Sequence, residues 1–128
     1  MLCPMCRVDM LALEFHRMEV DHCADCGGIW LDSGEINLIG ERAGAMRREL
    51  LAALDSEEAD REESRKRHCP VCGMRLVRAR LTGIGVSADR CRYKHGIRFD
   101  RGELAAVARA AGAEPANDLA RFLADIEE

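Results

Sequence analysis

Seven cysteines and one histidine set the strongest constraint on how this chain can fold. They form three C-x2-C pairs and one C-x3-H pair. This spacing lets short turns bring four soft ligands together around a zinc ion. The predicted ligands of a first site are Cys3, Cys6, Cys23 and Cys26, and those of a second site are Cys69, Cys72, Cys91 and His95. Because this assignment uses every cysteine, the sequence predicts two zinc ions.

The number of ligands indicates a structural role for the metal. Structural zinc sites are closed by four protein ligands, whereas catalytic sites keep one position open for water. Domains below about 40 residues usually need a metal, disulfides or oligomerisation to fold, and each cysteine cluster spans roughly that length. Two alternatives stay open: a redox role for the C-x-x-C pairs, although no thioredoxin-like pattern surrounds them, and iron in the all-cysteine site.

The predicted fold class is a small metal-stabilised α+β protein. It would contain two zinc ribbons, which are β-hairpins with zinc-binding turns, each followed by a helix, and a further helix at the C-terminus. The predicted division is ribbon 1 over residues 1–40, a helical charged connector over 41–67, ribbon 2 over 68–104 and C-terminal helices over 105–128.

Alternation of apolar and polar residues predicts the strands. Residues 11–15 and 18–22 alternate on both sides of His16-Arg17, which is typical of a β-hairpin, and residues 29–31 form a short closing strand. Residues 76–81 and 86–90 are the corresponding strands of the second half.

Helical periodicity follows each set of strands. Asp32 and Glu35 have the spacing of a capping box, and apolar residues recur at three- and four-residue intervals from Ile36 to Leu54. Residues 56–67 carry i,i+4 pairs of opposite charge, which favour a solvated helix. Asp100 and Glu103 repeat the capping pair before a helix that should reach residue 111, and residues 119–126 predict a last amphipathic helix.

The two halves share a sequence segment. Residues 28–36 (GIWLDSGEI) match residues 96–104 (GIRFDRGEL), so the second half looks like a repeat of the first. The repeat breaks at one ligand: Lys94 stands where the first half has Cys26, and His95 lies one position later. A longer turn is the expected way to bring His95 to the metal.

Four segments carry a resemblance to a known family: CPMC and CADCGGIWLDSGEI in the first half, and CPVC and HGIRFDRGEL in the second half. On these segments the chain resembles the small bacterial zinc ribbons named after transcription factor IIB. The resemblance covers roughly residues 1–40 and 68–104. It implies a zinc ribbon with the four-cysteine ligands given above, and a second, degenerate copy in which His95 departs from the four-cysteine pattern. The family name by itself establishes no activity.

Charge is segregated along the chain and suggests where a partner would bind. Residues 1–35 have a net charge of −5, whereas residues 68–101 carry eight basic and two acidic side chains, a net charge of +6. Basic ribbon 2 could therefore contact nucleic acid or an acidic protein, or dock on acidic ribbon 1. The candidate partner-binding residues are Trp30, Arg78, Arg80, Arg90, Arg92 and Arg98. Trp30 and Arg98 occupy matching positions, and since arginine is rarely buried, that position is expected to face outward. The alternative for Trp30 is that its ring lies over its own hairpin.

We therefore expect a non-enzymatic zinc-binding module with a transcription-related, nucleic-acid-binding or protein-binding role. The alternatives are an assembly factor that uses its amphipathic helices for a partner or for self-association, and a protein that handles metal or thiols. No catalytic triad, phosphate loop or paired carboxylate stands out, and no small-molecule substrate is expected. The sequence shows no secretory signal and no membrane-spanning run, so a cytoplasmic location is expected.

Overall fold

The computed structural model describes residues 1–15, 18–39, 44–55, 63–81, 85–110 and 118–126. These ranges contain seven strands and four helices. In chain order they are β1 (Leu11–Phe15), β2 (Met18–His22), β3 (Ile29–Asp32), α1 (Ser33–Ile39), α2 (Gly44–Asp55), β4 (Glu63–His68), β5 (Arg75–Leu81), β6 (Val86–Arg90), β7 (Gly96–Phe99), α3 (Glu103–Ala110) and α4 (Asp118–Ile126).

All seven strands belong to one antiparallel sheet, in the order β1-β2-β3-β7-β6-β5-β4. The predicted hairpin is confirmed, with Leu13 opposite Val20 and Phe15 opposite Met18. The predicted strands of the second half are β5 and β6, joined across the residues before Gly85, which has a positive φ of 79°. The mixture of strands and helices is therefore as expected, but the strands of the two halves are joined.

The two halves meet where β3 pairs with β7, which we call the seam. Trp30 lies opposite Arg98, and the neighbouring pairs are Ile29 with Phe99 and Leu31 with Ile97. Trp30 and Arg98 also occupy matching positions in the two similar sequence segments. The predicted docking of the basic segment against the acidic one thus occurs within the chain, by strand pairing.

The helices cover one face of this sheet and form the main hydrophobic core with it. Alternate strand residues such as Ile29, Leu31, Ile97 and Phe99 are fully buried in this core. The helices contribute buried residues at Ile36, Met46, Leu50, Ala53, Leu54, Leu104, Val107 and Leu123. Where the structure describes their side chains, the residues of the predicted apolar faces at 36–54 and 119–126 pack inside this chain. None of the described helices is long and apolar enough to cross a membrane.

The predicted solvated helix over 56–67 is wrong for its last part. Residues 63–68 form β4, which pairs with β5 at the edge of the sheet, with His68 opposite Arg75. An i,i+4 ion pair stabilises a helix by only about 0.2–0.5 kcal/mol, so strand pairing overrides it here. Arg67, one of the predicted helical partners, instead forms a 2.6 Å ion pair with buried Asp89. Residues 56–62, and residues 40–43 of the predicted first helix, lie outside the described residues.

The carboxylates of the predicted capping boxes contact residues outside those boxes. Glu35 Oε2 accepts a hydrogen bond from the backbone N–H of Glu19 at 2.7 Å, which ties α1 to β2. Asp32 Oδ1 accepts the indole N–H of Trp30 at 2.8 Å, and Asp100 Oδ1 accepts Arg98 Nη1 at 2.5 Å. Asp32 and Asp100 thus each hold the seam side chain that lies two residues before them in the chain.

Candidate metal centres

The first predicted ligand set converges in the structure. Cys3, Cys6, Cys23 and Cys26 place their sulfur atoms within 4.8 Å of one another, and we call this group the first centre. Cys3 and Cys23 are buried, and the other two are partly exposed. Cys3 Sγ lies 3.8 Å from Cys26 Sγ. In a tetrahedral zinc site with Zn–S bonds of about 2.3 Å, two sulfurs lie about 3.8 Å apart, so the group fits zinc.

The second predicted ligand set also converges. Cys69, Cys72, Cys91 and His95 form the second centre, again with their ligand atoms within 4.8 Å. Cys72 Sγ lies 3.6 Å from Cys91 Sγ, and His95 Nδ1 lies 3.4 Å from Cys91 Sγ and 3.9 Å from Cys69 Sγ. A sulfur and a nitrogen bound to one zinc should lie about 3.6 Å apart. Each centre could therefore hold a zinc ion.

Four turns carry the ligands, and they share one backbone pattern. In each turn the first cysteine donates its N–H to the carbonyl five residues later, at 2.8–3.1 Å; these bonds join Cys3 to Val8, Cys23 to Gly28, Cys69 to Met74 and Cys91 to Gly96. The turns also point backbone N–H groups at sulfur, as from Gly28 to Cys26 at 3.3 Å. Such bonds stabilise the charged thiolate, which is the form that binds metal.

His95 reaches the other three residues of the second centre without the longer turn that the sequence suggested. The fourth turn closes over the same five-residue span as the others, but Lys94 donates its N–H to Cys91 O three residues back at 3.0 Å. The other three turns make this bond four residues back. Lys94 takes a positive φ of 62°, and His95 then stands one position beyond the usual ligand. The imidazole side chain extends far enough from this position to bring Nδ1 within 3.4 Å of Cys91 Sγ.

The two centres lie on the face of the sheet opposite the helices, with Trp30 buried among them. Trp30 belongs to a cluster with Met10, Leu76 and the cysteines of both centres, and it is 0% exposed. The expectation that this position faces outward is therefore wrong for Trp30, and also for Arg98, which is 1% exposed. Pairing across the seam, beneath the metal-binding turns, removes both side chains from solvent.

Arg98 is buried because acidic groups and a ligand sulfur surround it. Its Nη1 contacts Asp100 at 2.5 Å and Asp89 at 3.8 Å, and its Nη2 lies 3.6 Å from Cys26 Sγ. Burial alone would raise the pKa of Cys26, but the Gly28 N–H and the Arg98 guanidinium lower it to about 7. By contrast, burial and hydrogen bonds with neighbouring thiols raise the pKa of Cys6 to about 12.

The predicted arginine surface survives only in part. Arg78 and Arg80 are both exposed on β5, as their two-residue spacing predicted, and Arg92 is exposed in the fourth turn. Arg90 is 3% exposed and donates to the carbonyl of Cys91, so its predicted place on the surface is wrong. Alternation along β6 places Arg90 on the helix-covered face, opposite Val77.

A group of charged residues near the seam was not predicted as part of a site. Asp89 is 3% exposed and pairs with both Arg67 and Arg98. Glu103 lies beside Asp100, and burial followed by the contact with Asp100 raises the pKa of Glu103 to about 7. The sequence gives no signal for this group, since its members come from β4, β6, β7 and α3.

Comparison with known families supports the first centre. Residues 2–42 match the model of the Zn_ribbon_TFIIB family, described as a transcription factor zinc-finger. The matched range contains all four ligands of the first centre, so a zinc-ribbon assignment for this part of the chain agrees with its geometry. Residues 68–104, the second region of the sequence resemblance, lie outside the match. Searches of curated proteins and of solved structures gave no match.

Proposed function

We propose that this chain is a non-enzymatic binding module, in which two zinc centres stabilise the sheet and Arg78 and Arg80 contact the phosphates of a nucleic acid. Four protein ligands converge at each centre and leave no position for a reacting water, which supports a structural role for the metal. The likeness of residues 2–42 to a transcription factor zinc-finger supports a transcription-related role.

The observation that carries this proposal is the exposure of both arginines on one side of β5. Arg78 lies opposite Asp89 and Arg80 opposite Ser87, so the side chains share a face with the buried seam residues. Leu76, two residues earlier, is buried against the second centre. The metal-bound turns therefore fix the strand from which the two cations extend, and fixed cations are suited to binding phosphate.

We further propose that residues 68–104 are a second, degenerate copy of the ribbon in residues 1–40. Two features support this: the four ligand-carrying turns share the closing hydrogen bond, and Trp30 pairs with its own counterpart Arg98. A local two-fold axis would then pass between these two residues. The module would be a pair of ribbons fused edge to edge through the seam.

Fluorescence anisotropy with mixed-sequence DNA and RNA at two salt concentrations tests the binding proposal. The double variant Arg78→Ala/Arg80→Ala should weaken binding by about tenfold or more at low salt. It should also reduce the slope of log K against log salt by about 2 for duplex DNA, because two phosphate contacts are lost.

The matched control is Arg48→Ala/Arg109→Ala, which removes the same charge from exposed positions on α2 and α3. It should bind like the parent protein, and zinc content should stay at two ions per chain in both variants. Equal losses in the two double variants would show a general charge effect and contradict a specific surface. If the parent protein does not bind at low salt, nucleic acid is removed as the partner.

The contacts of the described residues do not favour the alternative of an assembly factor that uses its amphipathic helices to bind a partner or a second copy. The buried residues of α2, with Leu123 of α4, lie in this chain's own core. The proposal of a role in metal or thiol handling is likewise not favoured, since each centre offers a closed set of four ligands.

A further inference from the structure

The two centres would differ in charge once each holds zinc. Four thiolates around a divalent ion leave about two excess negative charges, whereas three thiolates and a neutral imidazole leave about one. A buried excess charge is costly unless an opposite charge or hydrogen-bond donors lie beside it. The first centre therefore needs more compensation than the second.

The first centre has a buried cation against a ligand sulfur, whereas the buried Arg90 beside the second centre donates to the backbone carbonyl of Cys91. Arg98 Nη2 lies 3.6 Å from Cys26 Sγ, and the side chain is 1% exposed. Asp100 and Asp89 hold the other end of the same guanidinium, which fixes its direction. Arg98 comes from β7 in the second half of the chain, whereas Cys26 belongs to the first half.

Gly28, directly before β3, makes room for this contact. A Cβ atom at Gly28 would lie 2.7 Å from Arg98 Nη2. On the other side of the seam, a Cβ atom at Gly96 would lie 2.6 Å from the ring of Trp30. Each half thus places one large side chain over a glycine of the other half, but only Arg98 brings a positive charge. The indole N–H of Trp30 goes to Asp32.

We infer that Arg98 is a positioning residue, which completes the first centre from the opposite half of the chain. Its hydrogen bond to Cys26 offsets the excess negative charge of the zinc-loaded centre and so raises the zinc affinity of that centre. The second centre, with one less thiolate, receives an indole at the corresponding place. Zinc binding by the first ribbon therefore depends on the seam and not on its four cysteines alone. This inference does not rest on the proposed binding to nucleic acid.

The test compares the full-length parent protein with Arg98→Gln and Arg98→Lys, each loaded with zinc or with Co²⁺. Competition with a chromophoric chelator measures the affinity of the two metal equivalents. The sulfur-to-cobalt charge-transfer absorption reports on the thiolates. Arg109→Gln, which changes an exposed arginine on α3, is the matched control.

In Arg98→Gln, one metal equivalent should bind about 10- to 100-fold more weakly, as is usual when a group supporting a ligand is lost. The other equivalent should keep the affinity of the parent protein. Loss of a donor to Cys26 makes its thiolate a better electron donor, so part of the charge-transfer band should move to lower energy. Arg98→Lys keeps the positive charge and should therefore restore part of the affinity. If Arg98→Gln fails to fold, the test rests on whether Arg98→Lys weakens one metal equivalent or both.

The inference is overturned if a folded Arg98→Gln holds both equivalents as tightly as the parent protein with an unchanged charge-transfer band, or if Arg98→Lys binds metal no more tightly than a folded Arg98→Gln. It is also overturned if both equivalents weaken equally, because Arg98 would then act on the fold as a whole. Arg109→Gln should match the parent protein in both measurements, and a similar loss there would assign the effect to net charge.

Discussion

The two metal centres are built from turns of the same kind but lie in different surroundings. The first centre has four thiols and the Arg98 guanidinium against Cys26. The second centre replaces one thiol with His95, and its ligand Cys72 is exposed, next to exposed Val71. In both centres the geometry of the turns brings the ligands together. The pairing of the two halves decides how far each centre is shielded from solvent and which charged side chain lies beside its ligands.

The largest expected effect comes from removing a buried ligand. Cys23 is 0% exposed, and Cys23→Ser should lower the zinc content from two ions to one and unfold at least the first half. Structural zinc contributes about 10–16 kcal/mol of apparent binding free energy, which is comparable with the whole stability of a small domain. Zinc analysis combined with circular dichroism provides the measurement.

Cys72→Ser is the matched change at the exposed ligand of the second centre. It should also lose one ion, but it should leave the first centre loaded and more of the sheet folded. Two zinc ions per chain in Cys23→Ser would refute the ligand assignment. If both variants unfold to the same extent, the two centres contribute equally to the stability of the fold.

The two glycines at the seam offer a smaller test of the same comparison. A methyl group at Gly96 would lie 2.3 Å from the carbonyl oxygen of Leu31, which cannot move without disturbing the sheet. At Gly28 the nearest atom is the end of the Arg98 side chain, at 2.7 Å. Overpacking of this kind costs typically about 1–3 kcal/mol, so Gly96→Ala should lie near or above about 3 kcal/mol and Gly28→Ala near about 1 kcal/mol.

Urea unfolding of the zinc-loaded variants measures this difference in the free energy of unfolding. Gly34→Ala is a suitable control, because a methyl group there would meet no atom within 4 Å. If Gly28→Ala were as destabilising as Gly96→Ala, the end of the Arg98 side chain would be as unable to shift as the backbone of Leu31.

The smallest expected effect concerns the acidic group beside the seam. Burial and Asp100 raise the pKa of Glu103 from 4.5 to about 7, so the folded protein binds this proton more tightly than the unfolded chain. The resulting stabilisation is present below about pH 4.5 and is lost as pH rises toward 7. Glu103→Gln stays neutral, and its stability relative to the parent protein should therefore increase between pH 5 and pH 8.

Thermal unfolding of zinc-saturated protein at several pH values between 5 and 8 checks this sign. Asp100→Asn, made in the protein that retains Glu103, removes a neighbour that raises the pKa of Glu103. It should therefore reduce the dependence of thermal stability on pH. A difference between Glu103→Gln and the parent protein that does not change with pH would contradict the shift.

Much of the local structure could be predicted from the sequence, because local spacing controls it. The C-x2-C pairs identified the ligands of both centres, and period-two alternation located β1, β2, β5 and β6. Apolar periodicity located α2 and its buried face, including Met46 and Leu50. The likeness of residues 28–36 and 96–104 marked the two strands that meet at the seam.

The errors occurred where contacts between strands override the local sequence pattern. Charge spacing over 63–67 favoured a helix, yet the edge of β5 makes the segment a strand. The rule that arginine stays exposed failed for Arg98, since Asp100, Asp89 and Cys26 surround it together. Trp30 was considered for an interface with another molecule, and the structure places it in an interface within the chain.

The amino-acid sequence alone indicated the eight candidate metal ligands, most strands and the apolar helix faces, because each depends on spacings of a few residues. Tertiary structure decided that the two halves share one sheet and that Trp30 and Arg98 lie buried at its centre. Strand pairing between residues 68 positions apart creates those neighbours. Burial and electrostatic compensation depend on such neighbours, so no local pattern could specify which centre would receive the positive charge.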